Sequence, residues 1–185
     1  RHMTATIEVR RHAMRAPGGV HLVQAGVALA RRVGEGLGPF AVVITSPIPR
    51  AFETAIAMGF AVDQVDNHLA LIPAKVMDRV AWDGGFGAWA AAGAADSKPI
   101  RTHFGEMRAW LAKVAAALPD GGAALMLSHG GVIESIGAAC LGDGVSGWGE
   151  AVRYVEGVRL TFDRTAGRCI GGTVLRVPDA PPDVH

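Results

Sequence analysis

Two short and almost entirely apolar segments constrain the fold of this chain most. Residues 40–45 and 123–127 contain almost only apolar side chains, which is typical of strands that are buried on both faces of a parallel sheet. The alternating pattern of residues 5–10 predicts another strand, and the amphipathic segments 22–35 and 100–118 predict helices. This order of strands and helices predicts an α/β fold, a three-layer sandwich with a mostly parallel central sheet flanked by helices.

The remaining segments complete this organisation. Residues 50–58 and 131–140 predict two further helices. Residues 153–162 and 169–177 predict two more strands, which we expect to pair around a turn at 164–167. These last two strands could form a sheet edge at which a second copy of the chain pairs, which would give a homodimer.

The length predicts a single domain. The chain has 185 residues, half of which are hydrophobic, and this is enough for one buried core. We expect the domain to span residues 3–178, with an irregular insertion of short helices at about 63–99. Residues 1–2 precede a methionine and are expected to be a remnant of expression, and residues 179–185 are expected to form a flexible tail.

Composition and charge argue against several classes of partner. The chain has 18 Lys and Arg against 17 Asp and Glu, and no long basic run, so we expect no nucleic-acid partner. The absence of a signal peptide and of a long apolar run predicts a cytoplasmic protein without a membrane partner. Cys140 and Cys169 have no metal-like spacing, so we expect free core thiols in a reducing cytosol.

Three polar clusters follow three of the predicted strands. They are residues 10–12 (Arg-Arg-His), residues 46–50 (Ser-Pro-Ile-Pro-Arg) and residues 128–130 (Ser-His-Gly). Ligands of such sheets bind beyond the carboxyl ends of the strands, so we expect the three clusters to meet at one rim. A surface charge run would not place a cation or an imidazole at three separate strand ends.

These residue types suit phosphoryl transfer without a metal. The reaction needs a nucleophile, cations around the phosphoryl oxygens and a proton donor for the leaving group. The neutral imidazole of His12 is a suitable nucleophile, and Arg11 and Arg50 match phosphate with their guanidinium groups. His129 would donate a hydrogen bond, and Gly130 would let backbone amides approach the anion. No metal-ligand spacing is present, so we expect no metal and no other cofactor.

Each of these segments resembles a motif of one enzyme family. Residues 9–13 (Val-Arg-Arg-His-Ala) are similar to an Arg-His-Gly signature, with Ala13 in the place of Gly. Residues 46–55 resemble the motif Ser-Pro-x-x-Arg-Ala-x-x-Thr-Ala, and residues 128–133 resemble a second-histidine motif. These are motifs of the histidine phosphatase superfamily, the phosphoglycerate-mutase-like enzymes, and the resemblance covers about residues 7–140.

The resemblance implies a role for four residues. In this family His12 would become phosphorylated, and Arg11, Arg50 and His129 would form the phosphate pocket. The implied fold is the phosphoglycerate-mutase-like α/β sandwich, and the implied enzyme is a histidine acid-type phosphatase.

The proton donor is less well defined by the resemblance. The family usually has a Glu before an aromatic-Gly-x-x stretch, and residues 86–89 (Phe-Gly-Ala-Trp) resemble this stretch. Asp83 then stands in the position of the Glu, with Asp78 as the alternative, and either residue could instead cap a loop. The aromatic side chains of residues 82–89 could wall a pocket or pack the insertion against the core.

Three further residues are candidates for substrate contact. Arg15 stands where the family commonly has a Ser or Thr, and it could hold a second anionic group or be an exposed loop cation. Glu134 stands where a basic residue is frequent, which would mark an unusual substrate. His21 could face the pocket or lie in solvent at the start of a helix.

The sequence thus predicts a phosphomonoesterase that needs no metal and acts through a phosphohistidine on a small phosphorylated metabolite. A mutase must retain the phosphate and needs long lids that exclude water, whereas this chain is short and has one modest insertion. A mutase, a regulatory pseudo-enzyme that only binds phosphate, and other adapted chemistry remain as alternatives.

Overall fold

The computed structural model describes residues 3–182, and within this range six strands form one sheet. The strands are β1 (Thr4–Arg11), β2 (Val42–Thr45), β3 (Gln64–Val65), β4 (Ala123–Ser128), β5 (Gly157–Asp163) and β6 (Arg168–Leu175). Their order across the sheet is β3-β2-β4-β1-β5-β6. Strands β3, β2, β4 and β1 are parallel to one another, while β5 and β6 run antiparallel to their neighbours.

Helices cover both faces of this sheet. They are α1 (Gln24–Gly34), α2 (Pro49–Ala57), α3 (Ala74–Met77), α4 (Gly85–Ala95), α5 (Lys98–Ala117) and α6 (Val132–Leu141), and short 3-10 turns lie at Asn67–Leu69 and Gly142–Val145. Helices α1 and α2 contribute to one core cluster, and α4, α5 and α6 contribute to the other. The fold is therefore the predicted α/β sandwich of three layers.

Strand β4 lies between these two cores. Its residues Ala124 and Met126 pack in the cluster of α4, α5 and α6, and Leu125 and Leu127 pack in the cluster of α1 and α2. Successive side chains of a strand point to opposite faces, and all four are fully buried. This explains why the segment is apolar throughout, as expected for a strand with helices on both sides.

The parallel strands end at one rim. Arg11 lies opposite Ser128 across the pair of β1 and β4, and Thr45 lies opposite Leu127 across the pair of β2 and β4. The three polar clusters that follow these strands therefore start within one residue of the same level of the sheet.

Residues 153–156 form a loop, and the prediction of a strand from residue 153 onwards is wrong. Val155 has a φ of 58°, a left-handed conformation that a β-branched residue rarely adopts. Polar contacts hold it there: Arg10 Nη1 donates to the Val155 carbonyl at 2.9 Å, and the buried Glu156 carboxylate accepts from the Arg153 N–H at 2.9 Å. Strand β5 begins only at Gly157.

The segment expected to be an irregular insertion is more regular than predicted. Residues 64–65 extend the sheet by pairing with β2, and α4 is a helix of 11 residues. Its sequence is rich in Ala and Gly and apolar on all sides, so no amphipathic period marks it, and Gly lowers its helix propensity. Phe86 and Trp89 are fully buried, which means that packing against the core stabilises this helix.

The part of the expected tail that the structure describes lies against the body of the protein. Arg32 on α1 donates a hydrogen bond to the Asp179 carboxylate, and Ala180 is buried. Residues 1–2 and 183–185, named above as a remnant and as part of the tail, lie outside the described residues. No helix within residues 3–182 is long and apolar enough to cross a membrane.

Candidate active site

The rim of the sheet brings His12, Arg50 and His129 together. His12 follows β1, Arg50 lies in the first turn of α2 and His129 follows β4. Arg50 Nε donates a hydrogen bond to His12 Nε2 at 3.2 Å, and the ring centroids of His12 and His129 are 5.3 Å apart. Both imidazoles are buried, with 3% and 9% of their surface exposed. Three residues that are distant in sequence thus form one compact cluster.

The hydrogen bonds of His12 define its tautomer. Its Nδ1 lies 2.7 Å from the Ala13 carbonyl oxygen, which can only accept, so Nδ1 carries the proton. Nε2 therefore presents its lone pair. Burial lowers the pKa of His12 to about 2, and the nearby charges of Arg11, His129 and Arg50 act in the same direction, against the hydrogen bond to Ala13. The imidazole is neutral at physiological pH, as a nucleophile must be.

Thr54 fixes the position of the His12 loop relative to α2. Its hydroxyl accepts a hydrogen bond from the Ala13 N–H at 2.9 Å and donates one to the Arg50 carbonyl at 2.7 Å. Thr54 is completely buried. Thr54, the threonine of the motif at residues 46–55, therefore links the backbone that follows His12 to the backbone of Arg50.

His129 is positioned by the end of β2. Its Nε2 is 2.8 Å from Ser46 Oγ. This hydroxyl accepts from the Ile48 N–H at 3.1 Å, so its own proton can be donated to Nε2, which leaves Nδ1 with the ring N–H. Burial lowers the pKa of His129 to about 3, with further contributions from the charges of Arg50, Arg11 and Arg15. The second imidazole is therefore neutral as well, and it can offer one N–H to a ligand.

Arg11 completes the cluster from the side of β5. Its Nη1 donates to the Val152 carbonyl at 3.0 Å, and its guanidinium lies 4.6 Å from the centroid of the Tyr154 ring, a cation–π geometry. The Tyr154 ring is in turn 5.8 Å from the His12 ring. No sequence pattern marks Val152 as a contact of Arg11, and Tyr154 fell within the strand that was predicted over residues 153–162.

A cavity of about 280 Å³ opens beside Arg11. Asp83, Trp82 and Gly130 line it, together with residues 150–153 and Pro182. Asp83 is exposed there, whereas Asp78 follows the last residue of α3 and does not line this cavity. Of the two carboxylates that the sequence leaves open as proton donor, Asp83 is the one that shares this cavity with Arg11.

Glu150 is a second carboxylate on this cavity, and the sequence carried no signal for it. It is exposed and forms an ion pair with Arg153, in which Nη2 and Oε1 are 3.3 Å apart. Both residues line the cavity with Arg11. Trp82 is the only one of the three aromatic residues of the insertion that reaches the cavity lining, since Phe86 and Trp89 are buried in the core.

Glu134 is buried in the first turn of α6 and does not line the cavity beside Arg11. Its carboxylate is fully buried, and Oε2 accepts a hydrogen bond from the Gly131 N–H at 2.9 Å. Burial raises the pKa of Glu134 to about 7, against the hydrogen bonds from Gly131 and from its own N–H and the charge of Arg11. Glu134 therefore caps α6 and does not reach a substrate, contrary to the substrate-contact hypothesis. Gly130 lines the cavity, but the N–H of Gly131 is occupied.

The other two candidates for substrate contact lie apart from the cavity. His21 Nδ1 is 2.6 Å from Glu53 Oε2, and 73% of the His21 side chain is exposed, so it occupies the solvated position at the start of α1. Arg15 Nη1 donates to the Gly19 carbonyl at 3.1 Å. Arg15 is half-buried and near enough to His129 for its charge to lower the pKa of that imidazole.

No cluster of three or more His, Cys, Asp or Glu side chains that could hold a metal ion occurs in the part of the chain that the structure describes. The charges next to the two imidazoles are those of the arginines. The arrangement suits an oxyanion held by guanidinium groups and facing a neutral imidazole.

No family model and no curated protein matches the chain by sequence. Solved structures share its fold. Phosphoserine phosphatase from Entamoeba histolytica in complex with 3-phosphoglyceric acid aligns with a TM-score of 0.65 and 14% identity, over 94% of this chain and 98% of that one. Phosphoglycerate mutase from Bacillus anthracis aligns with a TM-score of 0.61 and 19% identity, over 95% and 93%.

A mycobacterial glucosyl-3-phosphoglycerate phosphatase in complex with VO3 also aligns, with a TM-score of 0.55 and 21% identity over 84% of this chain and 92% of that one. The chain therefore has the α/β fold of phosphoglycerate-mutase-like proteins. The three structures named here are those of two phosphatases and one mutase. The fold that the motif resemblance implied is therefore confirmed.

Proposed function

We propose that the chain is a phosphomonoesterase of the histidine phosphatase superfamily that needs no metal and uses His12 as its nucleophile. The observation that carries this proposal is the contact of Arg50 Nε with His12 Nε2 at 3.2 Å. The lone pair of a buried, neutral imidazole faces a guanidinium, which is the group that would hold the phosphoryl oxygens. The phosphatases that share the fold support the same class of reaction.

In the proposed reaction, Nε2 of His12 attacks phosphorus in line with the departing oxygen. A nitrogen–phosphorus bond forms, the ester oxygen–phosphorus bond breaks, and Asp83 gives its proton to the leaving oxygen. Arg11 and Arg50 neutralise the phosphoryl oxygens, and His129 donates a hydrogen bond to the same group. The Ala13 carbonyl accepts from Nδ1–H and stabilises the positive charge that develops on the ring.

Water then hydrolyses the phosphohistidine. Asp83, now ionised, takes a proton from this water, the oxygen of water bonds to phosphorus and the bond to Nε2 breaks. Two exposed carboxylates, Asp83 and Glu150, line the cavity beside Arg11, which leaves this side of the site open to water. This favours a phosphatase over a mutase, which must keep water away from its phosphoenzyme.

The substrate is a small phosphorylated metabolite in this proposal. The cavity beside Arg11, of about 280 Å³, lies just below the range of roughly 300–1,000 Å³ that is typical of small-molecule pockets, which supports a small substrate. Neither a cofactor nor a nucleic-acid or membrane partner has a part in the reaction, and we place the enzyme in the cytoplasm.

Substitution of the nucleophile tests the proposal. With p-nitrophenyl phosphate and a metal chelator present, His12→Ala should lower turnover by about 10³-fold or more, and it should abolish the acid-labile phosphoprotein that is trapped by rapid quenching. His21→Ala is the matched control, because this exposed histidine pairs with Glu53 at the surface. Unchanged turnover of His12→Ala would refute the proposal. Binding of inorganic phosphate without turnover by the unsubstituted chain would instead support a pseudo-enzyme.

A further inference from the structure

Cys140 and Cys169 lie together at the end of α6 that is remote from His129. They are 29 positions apart in the sequence, and they meet because α6 packs against β6. The two thiols are hydrogen-bond partners. Both cysteines are free, as expected from the sequence, but both are partly exposed rather than part of the core.

The two cysteines are partly exposed and lie near positive charge. They line a surface cavity of about 480 Å³ together with Arg108 and Arg168. Both arginines are exposed, and Arg108 Nη1 donates to the Ala139 carbonyl at 3.0 Å, which holds its guanidinium beside the end of α6. Neighbouring cations and partial exposure are the environment in which a cysteine becomes a reactive thiolate.

The hydrogen bond between the thiols assigns them different roles. It lowers the pKa of Cys169 to about 7, against the effect of burial. The same hydrogen bond, together with burial, raises the pKa of the Cys140 thiol. Near neutral pH Cys169 is thus thiolate in about half of the molecules, while Cys140 keeps its proton. This is the arrangement of an attacking cysteine beside a resolving cysteine.

We propose that Cys140 and Cys169 form a dithiol site that reacts with oxidants of the peroxide class and closes to an intramolecular disulfide. The Cys169 thiolate attacks one peroxide oxygen, the oxygen–oxygen bond breaks, and Cys169 becomes a sulfenic acid while hydroxide leaves. The Cys140 sulfur then attacks the sulfenic sulfur, the disulfide bond forms and the sulfenic oxygen leaves as water. In total two thiols are oxidised by two electrons, and one hydrogen peroxide is reduced to two waters.

Intact-mass measurement of the full chain without reductant tests this proposal. After treatment with a stoichiometric amount of hydrogen peroxide, the unsubstituted chain should lose the mass of two hydrogen atoms and both sites of alkylation by iodoacetamide. Dithiothreitol should restore both, and peptide mapping should show residues 140 and 169 linked. Oxidation of the six methionines adds mass and is not reversed by the thiol reductant, so it is distinguishable.

Two single variants separate the roles. Cys140→Ser should stop at a sulfenic acid on Cys169, which dimedone traps, and Cys169→Ser should react with peroxide at least about ten-fold more slowly than Cys140→Ser, because the remaining thiol lacks thiolate character. Two thiols that stay open to alkylation after peroxide, or disulfides only between chains, would overturn the proposal. Equal reactivity of the two variants would do so as well.

The test is independent of the proposed phosphatase activity. Neither cysteine belongs to the histidine cluster or lines the cavity beside Arg11, so Cys169→Ser should keep the turnover of p-nitrophenyl phosphate. Failure to form the disulfide in a chain that hydrolyses this ester would contradict the dithiol site alone.

Discussion

The two sides of the candidate site are built in different ways. On the side of the parallel strands, His12, Arg50 and His129 are buried or half-buried, and contacts from the ends of β1, β2 and α2 hold them. On the side of the cavity that Arg11 lines, Asp83 and Glu150 are exposed and lie in loops. In the proposed reaction, the phosphoryl group would therefore meet a preformed pocket, whereas the leaving group would meet side chains that must still be positioned.

The largest effect is expected on the buried side. Arg50→Ala should lower the turnover of p-nitrophenyl phosphate by about 10⁴-fold, because it removes the charge at His12 Nε2 that would stabilise the phosphoryl oxygens. Arg31→Ala on the exposed face of α1 is the matched control and should change turnover by less than two-fold. Steady-state kinetics, with circular dichroism to verify folding, measures both. A loss below about ten-fold in Arg50→Ala would mean that the buried cluster does not carry the reaction.

A smaller loss is expected on the exposed side. Asp83→Asn should slow hydrolysis of an alkyl phosphate by about 10³-fold. It should slow p-nitrophenyl phosphate much less, because p-nitrophenolate leaves without a proton. Asp78→Asn and Glu150→Gln are the matched controls. If Glu150→Gln shows the dependence on the leaving group and Asp83→Asn does not, the proton donor is Glu150.

The same contrast explains what the sequence could predict. The residues that follow β1, β2 and β4 were predictable because apolar strands mark where the rim lies and because the motifs there combine several residue types. The sandwich fold and its parallel strands followed from the same apolar pattern. These features rest on short-range order, in which a strand end fixes the position of the next few side chains.

The exposed side could not be predicted in the same way. Glu150 lies just before the loop at 151–156, and the buried Tyr154 lies within it. The conformation of this loop depends on Arg10, which is distant in sequence, and on the buried Glu156 at the end of the loop itself. No local sequence pattern predicts a φ of 58° at Val155. The cap at Glu134 was hidden for another reason, since a buried acid and an exposed acid look the same in a sequence.

The buried Glu134 allows a further test of this difference between buried and exposed side chains, through the pH dependence of thermal stability. Its pKa of about 7 in the fold lies above the ordinary 4.5, so the buried carboxyl favours the fold most below pH 4.5 and costs stability as the pH rises towards 7. The full cost above pH 7 corresponds to about 3 kcal/mol. Glu134→Gln keeps the shape of the side chain and removes this cost. Its Tm should exceed that of the unsubstituted chain by roughly 6–12 °C at pH 8, and by much less at pH 5.

Calorimetric scans at the two pH values check this expectation, with Glu106→Gln on the exposed face of α5 as the control. An equal gain for Glu134→Gln at pH 5 and pH 8 would show that Glu134 does not exchange a proton between these values. Loss of phosphatase turnover without loss of stability would instead place its role in the orientation of the turn at Gly131.

The smallest effect is expected at the surface pair of Glu53 and His21. Burial opposes the charge of Glu53, but the hydrogen bonds from His21 and from the Leu22 N–H outweigh it and lower the pKa of this carboxyl. The pair therefore stabilises the fold above about pH 4.5, and this contribution is lost as the pH falls further. One third of the Glu53 side chain is exposed, so solvent screens the interaction and Glu53→Gln should cost less than about 1 kcal/mol. Thermal unfolding at pH 7 and pH 3 should show a Tm difference of at most about 4 °C at the higher pH and a smaller difference at the lower. A cost as large as that expected at Glu134 would mean that burial does not distinguish the carboxylates of this fold.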